Sequence, residues 1–163
     1  ADSMLGKAVK WLRCLGVDTV LWEGTRNPSA LLSQAAVEGR VVLTRDRKLL
    51  GKPGSALCYY VSSSIARDGF QEVVDNFRLA FSPKAFMARC SNCNASCYKR
   101  LEDAEVAQLT QEGALPVLTG CVTKFYMCMG CRKVFWKGPK YDSARAQIAL
   151  TMGLAVDQVH DAV

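Results

Sequence analysis

Apolar positions in the first half of the chain recur three and four residues apart, then gather into short β-branched runs, and the two patterns alternate. In SMLGKAVKWLRCLG, residues Leu5, Ala8, Val9, Leu12 and Leu15 share one helical face, and Gly16 supplies a left-handed stop. VDTVLW reads as a short buried strand. NPSALLSQAAVEG is a second helix, with Asn27 as N-cap, Pro28 in the first turn and Gly39 past the end. RVVLT and ALCYYV are further strands, and GFQEVVDNFRLAF is a third amphipathic helix built on Phe70, Val73, Val74, Phe77 and Phe81. Strands alternating with helices predict an α/β fold with a parallel sheet and right-handed crossovers. The first helix opens where this topology calls for a strand. The sequence therefore reads as an excised C-terminal piece of a longer protein, its first strand trimmed away or supplied by another segment.

The pattern changes after Pro83. Paired cysteines appear, then a polar stretch, EDAEVAQLTQEG, and then TKFYMC and KVFWKG, which read as short strands around a metal knuckle. DSARAQIALTM reads as a last helix. The expected organisation is an α/β domain over residues 1–83, a ribbon over 84–141 and a helical tail over 142–163.

Composition narrows the chemistry. Half of the residues are apolar, and none of the apolar runs approaches the length that crosses a bilayer. Without a secretory signal, the expected setting is intracellular, cytoplasmic or nuclear, with no membrane partner. The net charge of +6 favours polyanions slightly, and a zinc ion held by four thiolates would lower that balance by about two. The single histidine, His160, lies near the end of the sequence, which leaves catalytic pairs of Ser/His or Cys/His type without a firm base.

Eight cysteines in such a chain point to metal more than to disulfides. Cys90-Ser-Asn-Cys93 and Cys128-Met-Gly-Cys131 are two C-x2-C knuckles with 34 residues between them. Each turn offers two sulfurs, and two turns complete the tetrahedron that Zn²⁺ prefers. A closed four-thiolate site leaves no position for water, so the zinc would be structural. Cys97 and Cys121 are close enough in sequence to be alternative ligands, whereas Cys14 and Cys58 fall in core patterns.

Loops leaving the C-terminal ends of parallel strands form the usual ligand crevice. Asp2 and Asp46 fall there, and Glu23 and Asp68 can approach from neighbouring loops. Such acids hold Mg²⁺ or Mn²⁺ and activate water for phosphodiester cleavage. They also cap helices or pair with arginines, and the pattern alone leaves both roles open. Asp18 begins its strand and belongs at the opposite edge.

DSMLGKAVKWLRCLGVDT, GRVVLTRDRKLL, Gln71 at the head of a helix, RCSNCN and FYMCMGCRKVFWKG, in that order, resemble the Mut-seven C-terminal RNase domain family. The resemblance covers roughly residues 2–141. It implies a PIN-like nuclease fold followed by a zinc ribbon, found alone or at the C-terminus of Mut-seven and Nibbler-type 3′-5′ exoribonucleases in small-RNA pathways. It also implies Asp2 and Asp46 as the acidic positions, Asp18 as the acid of a G-x-D turn, and Cys90, Cys93, Cys128 and Cys131 as ribbon ligands. Two positions depart from the family pattern. Asn27 stands where another acid is expected, and Gly138-Pro139-Lys140 replaces a turn of Gly-Ser-His type. Both departures count against independent catalysis.

Two functions follow as expectations. One is an RNA-binding module that engages single-stranded RNA for an exonuclease or docks a protein partner of a small-RNA pathway. The other is a metal-dependent endoribonuclease using Asp2 and Asp46. The expected RNA surface comprises Lys7, Lys10, Arg13, Arg45, Arg47, Lys48, Arg132, Lys133, Lys137 and Lys140. Trp136, Phe125, Tyr126, Phe135 and Tyr141 are available either to stack on bases or to fill the ribbon core.

Overall fold

Two sheets of opposite character form, because the two halves of the chain carry different strand patterns. The computed structural model describes residues 1–22, 27–115 and 124–160. A single 3-10 turn, Ser3–Leu5, is capped by Asp2 and leads into α1 (Gly6–Cys14), which buries Ala8, Val9, Leu12, Arg13 and Cys14. Gly16 ends this stretch with φ of 94°. A Cβ there would lie 2.5 Å from the Ala85 carbonyl oxygen, so both the backbone angle and the close approach demand glycine.

The helix α2 (Pro28–Val37) starts as its sequence predicts, with the Asn27 side chain accepting from the Ser29 N–H and proline in the first turn. β1 (Val42–Thr44) is fully buried and pairs in parallel with β2 (Cys58–Tyr60), Val42 opposite Cys58 and Thr44 opposite Tyr60. Between them lies the short α3 (Arg47–Leu50), and after them α4 (Ala66–Asn76). α4 begins three residues before its apolar pattern and ends at Asn76, so Phe81 lies outside it and packs on Phe86 at 5.8 Å between ring centres.

VDTVLW forms no regular strand, although it is hydrogen-bonded to the first residue. The Ala1 amino group donates to the Val20 carbonyl at 2.7 Å, and the Trp22 N–H donates to the Ala1 carbonyl at 2.8 Å. On its other side, the Asp2 N–H donates to the Leu43 carbonyl at 2.9 Å. Residues 1 and 2 thus sit at the centre of the sheet, between residues 17–22 and β1.

The second sheet is antiparallel, in the order β3 (Tyr98–Arg100), β4 (Phe125–Cys128), β5 (Val134–Trp136). The polar stretch before β4 is a helix, α5 (Asp103–Gln111), started by a reciprocal capping box between Glu102 and Glu105. It covers a small core of Leu101, Leu115, Phe125 and Met127, against which Val106, Leu109, Val134 and Trp136 pack.

The chain then returns to the first sheet. α6 (Pro139–Met152), closed by Gly153 with φ of 64°, contributes Ala144, Ile148 and Ala149 to the main core, together with Leu5, Val9, Leu12, Leu43, Val61, Phe70 and Val73. Among the described residues, no helix is long and apolar enough to cross a membrane. Ile148→Ala should therefore lower unfolding free energy by about 2–5 kcal/mol, as in any well-packed core. Leu150→Ala on the exposed face should change it by less than about 0.5 kcal/mol. Urea denaturation of the two variants compares them directly.

Candidate functional site

The four knuckle cysteines come together as the spacing predicts. Their sulfurs all lie within 4.8 Å of one another, with Cys90 and Cys131 3.7 Å apart and Cys93 and Cys128 3.5 Å apart. A zinc ion with tetrahedral bonds of ~2.3 Å sets its sulfurs about 3.8 Å apart, so the cluster fits that ion. Two tight turns make it. The Asn94 N–H returns to the Cys90 carbonyl and the Arg132 N–H to the Cys128 carbonyl, both at 2.8 Å, with Asn94 and Arg132 at positive φ. Gly130 is needed in the second turn, because a Cβ there would meet the Ala95 methyl at 2.8 Å and the Cys93 sulfur at 3.2 Å.

The thiols ionise unequally. Burial pushes Cys90 up to about 12. At Cys131 burial acts in the same direction, but hydrogen bonds, that of the Lys133 N–H foremost, outweigh it and bring the thiol down to about 6. A metal that needs four thiolates must displace protons from the buried member as it binds. Among the described residues, this quartet is the only cluster of three or more cysteine, histidine or acidic ligands placed to hold an ion. Cys97 is exposed and lies outside it. Cys121 falls outside the described residues.

The first cysteine knuckle is clamped to the α/β core by a residue read from sequence as an RNA contact. Arg13 is only 4% exposed. Its guanidinium donates to the carbonyls of Thr19 at 2.8 Å, Ser91 at 3.2 Å and Asn92 at 2.6 Å, the last two inside the first knuckle. Arg13 thus does not belong to the exposed basic surface. Asp18 works beside it, at the edge expected for it. It accepts from Arg40 at 3.1 Å and from the Asn94 side chain at 2.6 Å, and Asn94 in turn accepts from the Thr19 N–H. Those bonds, Arg40 first and Asn94 second, hold the Asp18 carboxyl below its usual range.

At the other edge, Asp2 and Asp46 are joined through Thr44. The Thr44 hydroxyl donates to Asp2 Oδ2 at 2.5 Å and accepts from the Asp46 N–H at 2.9 Å. Asp2 Oδ2 also accepts from the Arg45 N–H at 2.8 Å, and Oδ1 accepts from the Met4 N–H at 2.9 Å. Asp46 Oδ1 caps α3 through the Lys48 N–H at 2.9 Å. Asp68 lies in the first turn of α4 beside Arg67, at 3.6 Å. Glu23 falls outside the described residues. One acid that the sequence pattern did not single out is Glu72, which binds the loop after β2 through the Ser62 hydroxyl at 2.7 Å and the Ser62 N–H at 3.0 Å. Its place in the amphipathic pattern of α4 gave no signal for that contact.

Of the predicted basic residues, Lys7, Lys10, Arg47, Lys48, Arg132, Lys133, Lys137 and Lys140 are exposed. Several lie over rings: Lys7 over Trp11 at 5.3 Å, Arg47 over Tyr60 at 5.1 Å, Lys133 over Phe135 at 5.9 Å and Lys137 over Tyr141 at 5.6 Å. Arg45 is half-buried. Its guanidinium donates to the Ser63 carbonyl, and its Nε is buried with no partner among the described residues. Phe125 is buried in the ribbon core, with half-buried Trp136 packed against it at 6.1 Å. Tyr126, Phe135 and Tyr141 are also half-buried.

Residues 1–148 match the family described as Mut7-C RNAse domain. A human protein described as "Exonuclease mut-7 homolog" is 29% identical over 112 residues, covering 66% of this chain and 13% of that protein. The chain thus spans about one-eighth of that relative's length. Comparison with solved structures gives no match.

One zinc per chain is expected, with affinity that rises with pH as the buried thiol gives up its proton. Arg13→Met should weaken that binding and lower unfolding free energy by about 3 kcal/mol, because three carbonyls, that of Thr19 buried and those of Ser91 and Asn92 partly so, lose a charged donor. Metal analysis by mass spectrometry, with chelator competition across pH, tests both statements. Retention of native zinc affinity in the variant would refute the clamp.

Proposed function

Because this chain belongs to the Mut7-C RNAse domain family, we propose that it is a PIN-derived module that grips single-stranded RNA for an exonuclease and cleaves little or none itself. The observation that carries this reading is the state of the Asp2 carboxylate. An ionised carboxylate offers about four acceptor positions, and Asp2 uses three of them on Met4, Thr44 and Arg45. Asp46 keeps more capacity but also caps a helix. Such a pair can hold one hydrated Mg²⁺ or Mn²⁺, since those ions retain most of their waters. In-line cleavage by two metals needs ions about 4 Å apart, clamped by several acids, and no third acid joins this pair among the described residues.

Binding draws on what the same edge does offer. Lys7, Arg47 and Lys48 are exposed beside the acids in sequence and carry charge for phosphate, while aromatic residues under several cations suit stacking. The similarity to an exonuclease supports a place in a longer exonuclease; the module proposed there would act on RNA of a small-RNA pathway and dock a protein partner. The family's description as an RNAse favours a second reading, a metal-dependent endoribonuclease using Asp2 and Asp46.

Two measurements separate these readings. Single-stranded RNA affinity should fall with salt, and replacing Lys7, Arg47 and Lys48 together by glutamine should reduce the log–log slope by about 2, at ~0.7 per phosphate contact. Affinity that ignores salt would remove the basic surface from the proposal. Labelled RNA incubated with Mn²⁺ should stay largely intact with both the native chain and Asp46→Asn. Robust cleavage abolished by that single change would establish the nuclease instead.

A further inference from the structure

The two faces of the ribbon sheet differ in what covers them. Register places Phe125, Met127, Val134 and Trp136 on one face, where α5 closes the small ribbon core over them. Successive side chains of a strand point to opposite sides. Arg100, Tyr126 and Phe135, paired in one row across β3, β4 and β5, therefore stand together on the other face, with Tyr98 beside them. Among the described residues, the rings of Tyr98, Tyr126 and Phe135 join none of the three apolar clusters, although each is half-buried. Tyr98 meets Phe135 edge to face, with ring centres 6.0 Å apart and planes at 82°, which braces the Phe135 ring from the side. The amine of Lys133 lies over that ring at 5.9 Å. Because Lys133 is exposed, the ring surface beneath its amine is reached from solvent.

Charge divides between the two faces in the same way. Lys99, on the α5 side, gives its charge to Glu105 at 2.6 Å. Arg100 and Lys133, on the opposite side, are exposed and pair with no acid among the described residues. This face thus carries aromatic rings bracketed by two cations whose charge is unspent.

We infer that this face of the ribbon sheet stacks the bases of single-stranded RNA on Tyr126 and Phe135, with Arg100 and Lys133 taking the adjoining phosphates. The inference rests on the RNA-binding reading above and adds to it a surface on the second sheet, apart from the acids of the first. An unpaired nucleotide brings a flat π-face and an anionic phosphate together, which is the pairing of chemistries this surface answers. A duplex keeps its base faces inside its own stack, so the rings select unpaired strands. Neighbouring strands of a sheet lie roughly 4.8 Å apart, which lets the rings of Tyr126 and Phe135 serve two bases in succession. A base arriving over Phe135 displaces the Lys133 amine, and the released amine turns to the phosphate.

The test measures binding of a short fluorescent oligouridine by anisotropy across a range of salt, with zinc content and Tm recorded for every variant. Tyr126→Leu and Phe135→Leu keep apolar bulk and remove the ring. Each should weaken binding about tenfold and leave the log–log salt slope unchanged, because stacking releases no counterions. Tyr126→Phe retains the ring and should bind as the native chain does. Arg100→Gln with Lys133→Gln should lower the slope by about 1.4, at ~0.7 for each of two phosphate contacts. That pair alters exposed side chains only, so it reports on the face even where a leucine variant loses its zinc. Native affinity and slope in the leucine variants and the glutamine pair would overturn the inference while leaving RNA binding itself intact. A native chain that binds no RNA removes the RNA-binding reading and this inference with it. A native dimer in sedimentation that Tyr126→Leu converts to monomer also overturns it, since a second copy then holds the face.

Discussion

The guanidinium of Arg13 joins the two halves of this molecule. It is buried in α1, yet its donors reach Ser91 and Asn92 in the first knuckle and Thr19 in the loop after the helix. A buried cation is tolerated only where its donors are matched, and here three carbonyls match them. The first knuckle is consequently built on the α/β core rather than tethered to it. Around this clamp, Asp18, Arg40 and Asn94 add a second, more exposed set of bonds, and Met87 donates its N–H to the Cys14 carbonyl at 2.8 Å. The return of α6 to the main core closes the circuit from the other end of the ribbon.

That construction explains the division of labour between the acids. Asp18 and Asp2 lie at opposite edges of the first sheet, and both are drawn into holding backbone in place. Asp18 braces the knuckle; Asp2 caps the first turn and gathers Thr44 and Arg45. An acid committed to its own chain has fewer lone pairs for a metal, whichever family it belongs to. The same reasoning gives the exposed lysines and arginines greater weight in any contact with RNA, because phosphate binding asks only for accessible charge.

Much of this was legible in the sequence. Local signals were read correctly where one residue dictates its own backbone or where spacing alone sets geometry. Gly16, Asn27 with Pro28, and the two C-x2-C turns are of that kind, since a positive φ, an N-cap and a pair of sulfurs on one turn depend on near neighbours. Membership of the family was legible for a related reason: several such local motifs recur in a fixed order.

Long-range contacts decided the rest. Arg13 has the charge of a surface residue, and only the arrival of Ser91 and Asn92, 78 and 79 residues away, makes its burial favourable. VDTVLW has the composition of a strand, but a strand is defined by its hydrogen-bonded partners, and residues 17–22 form no regular strand. The polar EDAEVAQLTQEG became a helix because Glu102 and Glu105 satisfy each other's backbone and its few apolar residues found the ribbon core. By itself the sequence determined the turns, the cysteine pairs that cluster and most of the alternation of helix and strand, all set by residues close along the chain. Which charges are buried and which acids are already occupied depend on residues that meet only in space, and the tertiary structure alone decided them.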